Sequence, residues 1–335
     1  MLNPKNKHDY SSELAKSKDN LIQLVDSDST IDLKDERMKQ NYKNFVAGGL
    51  AGAISRSLVA PLERLKTLYQ VNYIGNSQHP PPLWKGLLDI YQKDGIRGYW
   101  RGNLTNLIKS TPELAIRLYS FEKIKYNLQL LYGENLSKTG LFFSGSMAGV
   151  IAIVIVFPLE VIKVRISAAQ NNHYNGIIDA FLKIRKEGMK TFYKGLEVNL
   201  LNVIPNAGLN LTAYELLKRF FSGKSSPNNG SFLSTPVLMF IGAASALFSS
   251  TIMYPFQTIQ SRIIMNNIND IKLVTRQKDR GNKYLNISMI NVIQNTYHLE
   301  GMKGFYKGYL PGISKILMGN AFGFAFYEKI KVQLT

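Results

Sequence analysis

The sequence predicts an all-α membrane protein in which six tilted helices, arranged as three repeats, surround a polar cavity. Two observations lead there: a motif at a fixed period, and long apolar spans without charge. Proline, then a carboxylate or amide two residues later, then a base or amide three further on, occurs at Pro61-Leu62-Glu63-Arg64-Leu65-Lys66, Pro158-Leu159-Glu160-Val161-Ile162-Lys163 and Pro255-Phe256-Gln257-Thr258-Ile259-Gln260. Successive prolines lie 97 residues apart. A period of that length implies three structural units, each too small to bury its own apolar face. Leu141 to Leu159 and Gly230 to Ser261 contain no charged residue, and each is long enough to cross roughly 30 Å of hydrocarbon as a helix.

The other four spans, Asn44 to Leu68, Leu104 to Phe121, Leu196 to Tyr214 and Tyr309 to Tyr327, carry isolated charges. A charge at the bilayer centre costs about 2.5–3.5 kcal/mol, so these residues are expected to face a wet interior. A soluble helical solenoid is set aside because soluble repeats lack uncharged spans of this length. Small residues four apart precede each proline, at Gly48/Gly52, Gly145/Gly149 and Gly242/Ala246, a spacing that predicts close helix approach. An aromatic-basic-glycine step recurs at Trp100-Arg101-Gly102, Tyr193-Lys194-Gly195 and Tyr306-Lys307-Gly308. An aromatic-acid pair with a lysine three further on follows, at Phe121-Glu122 with Lys125, Tyr214-Glu215 with Lys218, and Tyr327-Glu328 with Lys331. The acids of that last motif are 93 and then 113 residues apart, which puts a longer loop in the third repeat, at about 266–286. The expected organisation is a polar, disordered tail over 1–40 and repeats over 41–132, 138–223 and 232–335.

Mean hydropathy is −0.09, near a soluble average, so the membrane reading rests on local pattern rather than composition. Formal charge is +18, and residues 1–40, with seven bases and eight acids, contribute none of the excess. Nucleic acid is not the expected partner, because many bases sit within or beside apolar spans; an anionic small solute or anionic lipid fits better. No cysteine is present, which excludes disulfides, thiolate metal sites and a cysteine nucleophile. The tail has no apolar run like a signal peptide and too many acids for a cleaved transit peptide. Asp26-Ser27-Asp28-Ser29-Thr30 begins like a calcium loop, but Ile31 stands where glycine is needed and Arg37 where a bidentate glutamate is needed. The four histidines, His8, His79, His173 and His298, fall in expected tails or loops with no carboxylate pairing, so neither enzyme activity nor a cofactor or metal site is expected.

Taken together, the three proline-acid-base motifs, the paired small residues and the aromatic-acid-base motifs resemble the mitochondrial carrier family, over about Asn41 to Thr335. The resemblance implies six transmembrane helices with pseudo-threefold symmetry, a short matrix-side helix in each repeat, and alternating-access exchange of a solute across the mitochondrial inner membrane by a monomer. It also implies a matrix gate that pairs Lys66 with Glu160, Lys163 with Gln257 and Gln260 with Glu63, and a cytoplasmic gate of Glu122, Lys125, Glu215, Lys218, Glu328 and Lys331. Cardiolipin is the implied lipid. Its sites take in Arg101 and Gly102, Lys194 and Gly195, and Lys307 and Gly308, with Trp84 and Gly86 and with Tyr174 and Gly176 at the short helices; Tyr284-Leu285-Asn286 departs from that pattern.

For the cargo, the resemblance implies Arg56, Lys109, Asn202, Val203, Arg262 and Lys315. Basic side chains facing one cavity suit a phosphate-bearing anion. Trp100 to Lys109, Pro112-Glu113-Leu114-Ala115-Ile116-Arg117 and Ser55-Arg56-Ser57 most resemble ATP-Mg/phosphate carriers, which makes an adenine nucleotide exchanged against phosphate the expected cargo, and coenzyme A or a related adenine derivative the alternative. Nucleotide carriers usually leave a glycine-lined slot where Asn202 stands, so Asn202 either hydrogen-bonds a base edge or marks a different substrate. The ADP/ATP exchanger is disfavoured, since its run of arginines and methionines corresponds to Gln260-Ser261-Arg262-Ile263-Ile264-Met265. Calcium-regulated relatives carry a long extension for which 1–40 is too short. A carrier-fold protein without transport is the remaining alternative, against which the complete cytoplasmic motif and the cavity lysines argue.

Overall fold

A computed structural model describes residues 47–71, 80–133, 137–169, 173–222, 235–265 and 289–334. The tail over 1–40, its calcium-like segment, Tyr284-Leu285-Asn286 and the loop at 266–286 lie outside the described residues, as do the side chains of Tyr327 and Lys331. Every regular element among the described residues is helical. The helices are α1 (47–71), α2 (Leu83–Asp94), α3 (Asn103–Tyr132), α4 (Lys138–Ala168), α5 (Ile177–Glu187), α6 (Leu196–Ser222), α7 (Thr235–Met265), α8 (Met289–Glu300) and α9 (Tyr309–Leu334). Two compact units divide the chain, Met1–Gly52 with Gly323–Thr335 and Ala53–Phe322. In the first, the described residues are helical and form the ends of α1 and α9.

Within Ala53–Phe322 the order long helix, short helix, 3₁₀ turn, long helix occurs three times, and its local causes repeat with it. Proline lies inside α1, α4 and α7 at positions 61, 158 and 255, where it removes one helical donor. Each short helix is amphipathic and turns one stripe inward, with Gly86 and Ile90, Ala180 and Ile184, and Val292 and Thr296 buried four residues apart. A glycine then stops it: Gly95, Gly188 and Gly301 have φ of 67°, 117° and 65°. The 3₁₀ turns Ile96–Trp100, Met189–Tyr193 and Met302–Tyr306 follow.

Each short helix packs on the C-terminal half of the long helix before it. Leu65 and Tyr69 meet Ile90, Val161 and Ile162 meet Ile184 and Phe192, and Ile259 and Ile263 meet Val292 and Phe305. The middle cluster also takes in Val71, Ile264 and Met265, so the repeats share a core, as units too small to stand alone must. Along the chain, α3 packs on α4 and α6 on α7. Two helices, Thr139–Ala168 and Val237–Met265, are apolar and long enough to span a bilayer. The small pairs of α4 and α7 behave otherwise than expected. A Cβ placed on Gly145, Gly149 or Gly242 would meet nothing within 4 Å among the described residues. The N-terminal halves of α4 and α7 carry exposed Phe142, Phe143, Phe240 and Phe248 instead.

Candidate functional site

Side chains of the three proline-motif segments line one cavity of about 290 Å³. Its wall holds Glu63 and Lys66 from α1, Glu160 and Lys163 from α4, and Gln257 and Gln260 from α7, with Lys109, Glu113 and Arg117 from α3, Asn199, Asn202 and Val203 from α6, and Lys315 from α9. Five bases face three acids, a local excess of positive charge.

The ring at the proline motifs closes in the sense opposite to the expected one. Lys163 Nζ reaches Glu63 Oε1 at 2.6 Å, and Lys66 Nζ donates to Gln257 Oε1 at 2.8 Å. Thus each base pairs with the motif carboxylate or amide on the other neighbour, because the order of helices around the cavity, which local sequence does not record, sets which motif a side chain meets. In this sense the third pair would join Gln260 to Glu160; among the described residues no hydrogen bond links them. Glu160 takes Lys109 instead, at 2.8 Å, with Lys163 further off at 3.8 Å. Lys315 reaches Glu63 at 3.2 Å, and the Asn106 amide donates to the same carboxylate at 3.4 Å. Both lysines expected to meet the cargo are therefore held by carboxylates of the expected matrix gate, with Lys109 also at 3.2 Å from Glu113, one turn along α3.

The remaining cargo positions divide. Asn202 and Val203 line the cavity, and the buried Asn202 Oδ1 has no hydrogen-bond partner. Arg56 is exposed and outside the cavity wall. Arg262 is excluded from it by burial: only 1% exposed, its guanidinium donates to Glu300 at 2.9 Å, Thr296 at 2.8 Å and the Gln70 carbonyl at 3.1 Å. A charge so enclosed is structural, since withdrawing it would leave the buried Glu300 carboxylate with one base fewer.

Arg262 has two counterparts that sequence reasoning missed. Arg64 hydrogen-bonds Asp94 and the Gly98 carbonyl, and Arg165 holds Glu187 through both guanidinium nitrogens at 2.6 and 2.9 Å. Each of the three also sends Nε to the backbone of the proline-containing first helix of another repeat, at Ser167 of α4, Ile264 of α7 and Gln70 of α1, nine residues after that helix's motif proline in every case. The available signal was an acid-glycine step, Asp94-Gly95, Glu187-Gly188 and Glu300-Gly301, six residues before each aromatic-basic-glycine step. The arginines themselves are harder to find, because Arg64 sits three residues after its proline and the others seven.

The expected lipid residues are largely engaged by protein. Arg101 lies 3.5 Å from Asp94 and Lys307 3.0 Å from Glu300. Lys194 is half-buried, and burial, with Arg165 nearby, pushes its ammonium below the ordinary lysine range. Tyr174 is buried and Trp84 exposed. Gly86 lies inside α2 against Tyr69, whereas Gly176 caps α5. Gly308, at φ 84°, begins α9 so close to α1 that an added Cβ would lie 2.8 Å from the Lys66 carbonyl. Of the aromatic-acid-base residues, Glu122, Glu215, Lys218 and Glu328 are exposed and Lys125 is half-buried. Among the described residues the ion pair these motifs form is local, Glu215 with Arg219 at 3.8 Å along α6.

Comparison with known proteins agrees with this architecture. The chain is 34% identical over 304 residues to the human mitochondrial adenyl nucleotide antiporter SLC25A24, and 34% identical over 297 residues to the zebrafish calcium-binding mitochondrial carrier protein SCaMC-2-A. These alignments cover 90% and 88% of this chain but 60% and 59% of the relatives, so it spans about three-fifths of their length. The profile of the mitochondrial carrier protein family matches three times, over residues 37–131, 134–225 and 232–335. With three matches in register with the proline motifs, the chain belongs to the mitochondrial carrier family.

Proposed function

We propose that this carrier is a six-helix, multi-pass protein of the mitochondrial inner membrane that exchanges a phosphate-bearing anion, an adenine nucleotide against phosphate, by alternating access. The observation that carries the reading is the cavity wall, where five bases outnumber three acids and an amide from α6 stands unpaired opposite them. Ammonium and guanidinium groups satisfy phosphate oxygens through charge-assisted bonds. Lys109 and Lys315 are the phosphate contacts. Asn202 offers a buried acceptor for an exocyclic amine, the group by which an amide recognises adenine. Coenzyme A, also an adenine derivative, is the second reading; what favours it is that an asparagine, rather than an open glycine slot, lines this wall.

Lys163 on Glu63 and Lys66 on Gln257 at the proline motifs, with Glu122, Glu215, Lys218 and Glu328 exposed, support a cytoplasm-open form in this reading, with cardiolipin on the backbone amides at the starts of α3, α6 and α9. Catalysis of a covalent change forms no part of the reading. Reconstitution into liposomes loaded with labelled ATP, ADP, coenzyme A or phosphate tests it. Exchange of ATP or ADP for phosphate is expected, coenzyme A exchange alone would shift the assignment to the second reading, and no exchange of any of them would overturn both.

A further inference from the structure

We infer that Glu160 is a built-in competitor for the cargo, its carboxylate occupying the anion site of Lys109, so that a phosphate group gains Lys109 only by releasing the tie between α3 and α4. The inference rests on the phosphate-anion reading above and concerns how that site is regulated.

Its origin is the broken third pair of the ring. The base of α4 meets the acid of α1, and the base of α1 meets the amide of α7; the same rotation would bring residue 260 of α7 to Glu160. Residue 260 is glutamine, so Glu160 has no ring base of its own and takes a lysine from a cargo-binding helix at 2.8 Å. The groups facing Lys109 are Glu160, Glu113 and, through Glu113, Arg117, whose guanidinium lies 3.1 Å from the other Glu113 oxygen. One ammonium thus already serves two carboxylates. Its third donor is geometrically free, but a phosphate carrying close to two negative charges at neutral pH would sit beside both acids uncompensated. Repulsion resolves if Glu160 lets go, and Lys163, at 3.8 Å, is the remaining base within reach of it. Competition of this kind is reciprocal: cargo weakens the Glu160 tie by the factor that the tie weakens cargo binding.

Binding of ATP and of inorganic phosphate to the full chain in detergent, with melting temperature recorded alongside, tests this. Glu160→Gln removes the competitor, and Gln260→Lys gives it another base; each should tighten ATP binding by about tenfold or more, the scale of one charge-assisted bond. Melting temperature should move oppositely, down for Glu160→Gln and up for Gln260→Lys. Because a new lysine attracts anions anyway, Gln260→Lys is also made in the Glu160→Gln background, where the inference predicts no further tightening; a further gain equal to that in the parent overturns it. If Glu160→Gln does not fold, Lys109→Ala supplies the background, since without Lys109 the substitution at 260 should no longer raise affinity. Parental binding of ATP with unchanged affinity in both single variants overturns the inference and leaves the cargo reading standing. Failure of the parent to bind ATP, coenzyme A or phosphate overturns both.

Discussion

Two layers of ionic contacts lie close together on the proline-kinked helices, and they are built differently. The deeper one is complete in all three repeats: Arg64, Arg165 and Arg262, at most 2% exposed, each join the acid before a 3₁₀ turn to a backbone carbonyl on the first long helix of another repeat. The ring at the cavity is complete in none of the same ways. It uses lysines, has glutamine at two of its six positions, and draws in Lys109 and Lys315 from α3 and α9. Arginine presents a rigid, planar fork that fixes geometry, whereas lysine is a point charge on a flexible stem that changes partner readily. The difference teaches which contacts are built to hold the repeats together and which are built to change partner, as the proposed transport requires.

The largest expected effect tests the static layer. Arg262→Ala leaves Glu300 buried beside Lys307 with its second base gone, and breaking a buried pair in this way costs about 3–5 kcal/mol. Arg165→Ala should cost a similar amount. Melting temperatures in detergent should fall sharply for both, and a parental melting curve for either would erase the distinction between the layers. Gly308→Ala attacks the same region through the backbone. Forcing a Cβ at φ 84° against the Lys66 carbonyl should cost about 1–3 kcal/mol, again read as a melting shift.

Substitutions in the ring should change transport more than stability. For Lys109→Ala and Lys315→Ala, exchange in liposomes should drop by at least tenfold, because each loses a charge-assisted bond worth about 1.5–3 kcal/mol. Parental exchange rates in both would remove these lysines from the cargo site. Gln257→Glu converts the 2.8 Å contact with Lys66 into an ion pair; a gain of roughly 1 kcal/mol, the excess of a charged over a neutral hydrogen bond, should raise the melting temperature and slow exchange. Combined with Gln260→Lys the two effects should not add, since the positions lie three residues apart on α7 and the introduced acid and base reach one another as well as their ring partners. The smallest effect belongs to Asn202→Gly. It should leave stability nearly unchanged and alter the competition profile among adenine, guanine and pyrimidine nucleotides; an identical profile would make Asn202 a packing residue.

Much of this was legible in the linear sequence because it is periodic. The 97-residue interval, the uncharged spans in α4 and α7 and the three aromatic-basic-glycine steps are local patterns, and local patterns survive without coordinates. So Lys109, Asn202, Val203 and Lys315 were found, and all four line the cavity. Arg262 was misplaced for the same reason: a base on a cavity-forming helix looks like a cargo contact until its neighbours are known. The small-residue pairs were likewise read as packing surfaces, although a Cβ on Gly145, Gly149 or Gly242 would meet nothing within 4 Å among the described residues.

The sequence by itself therefore determined the three-repeat helical architecture, the family and most of the charged groups at the cavity, since each depends on residue type and spacing along one chain, but it placed Arg56 and Arg262 there wrongly and did not single out Glu113 and Arg117. The tertiary structure alone decided who pairs with whom. Lys163 goes to Glu63 and Lys66 to Gln257, Glu160 falls to Lys109, and Arg262 turns inward to Glu300, because partner choice is a matter of distances of about 3 Å between residues far apart in sequence, set by the order and rotation of the helices.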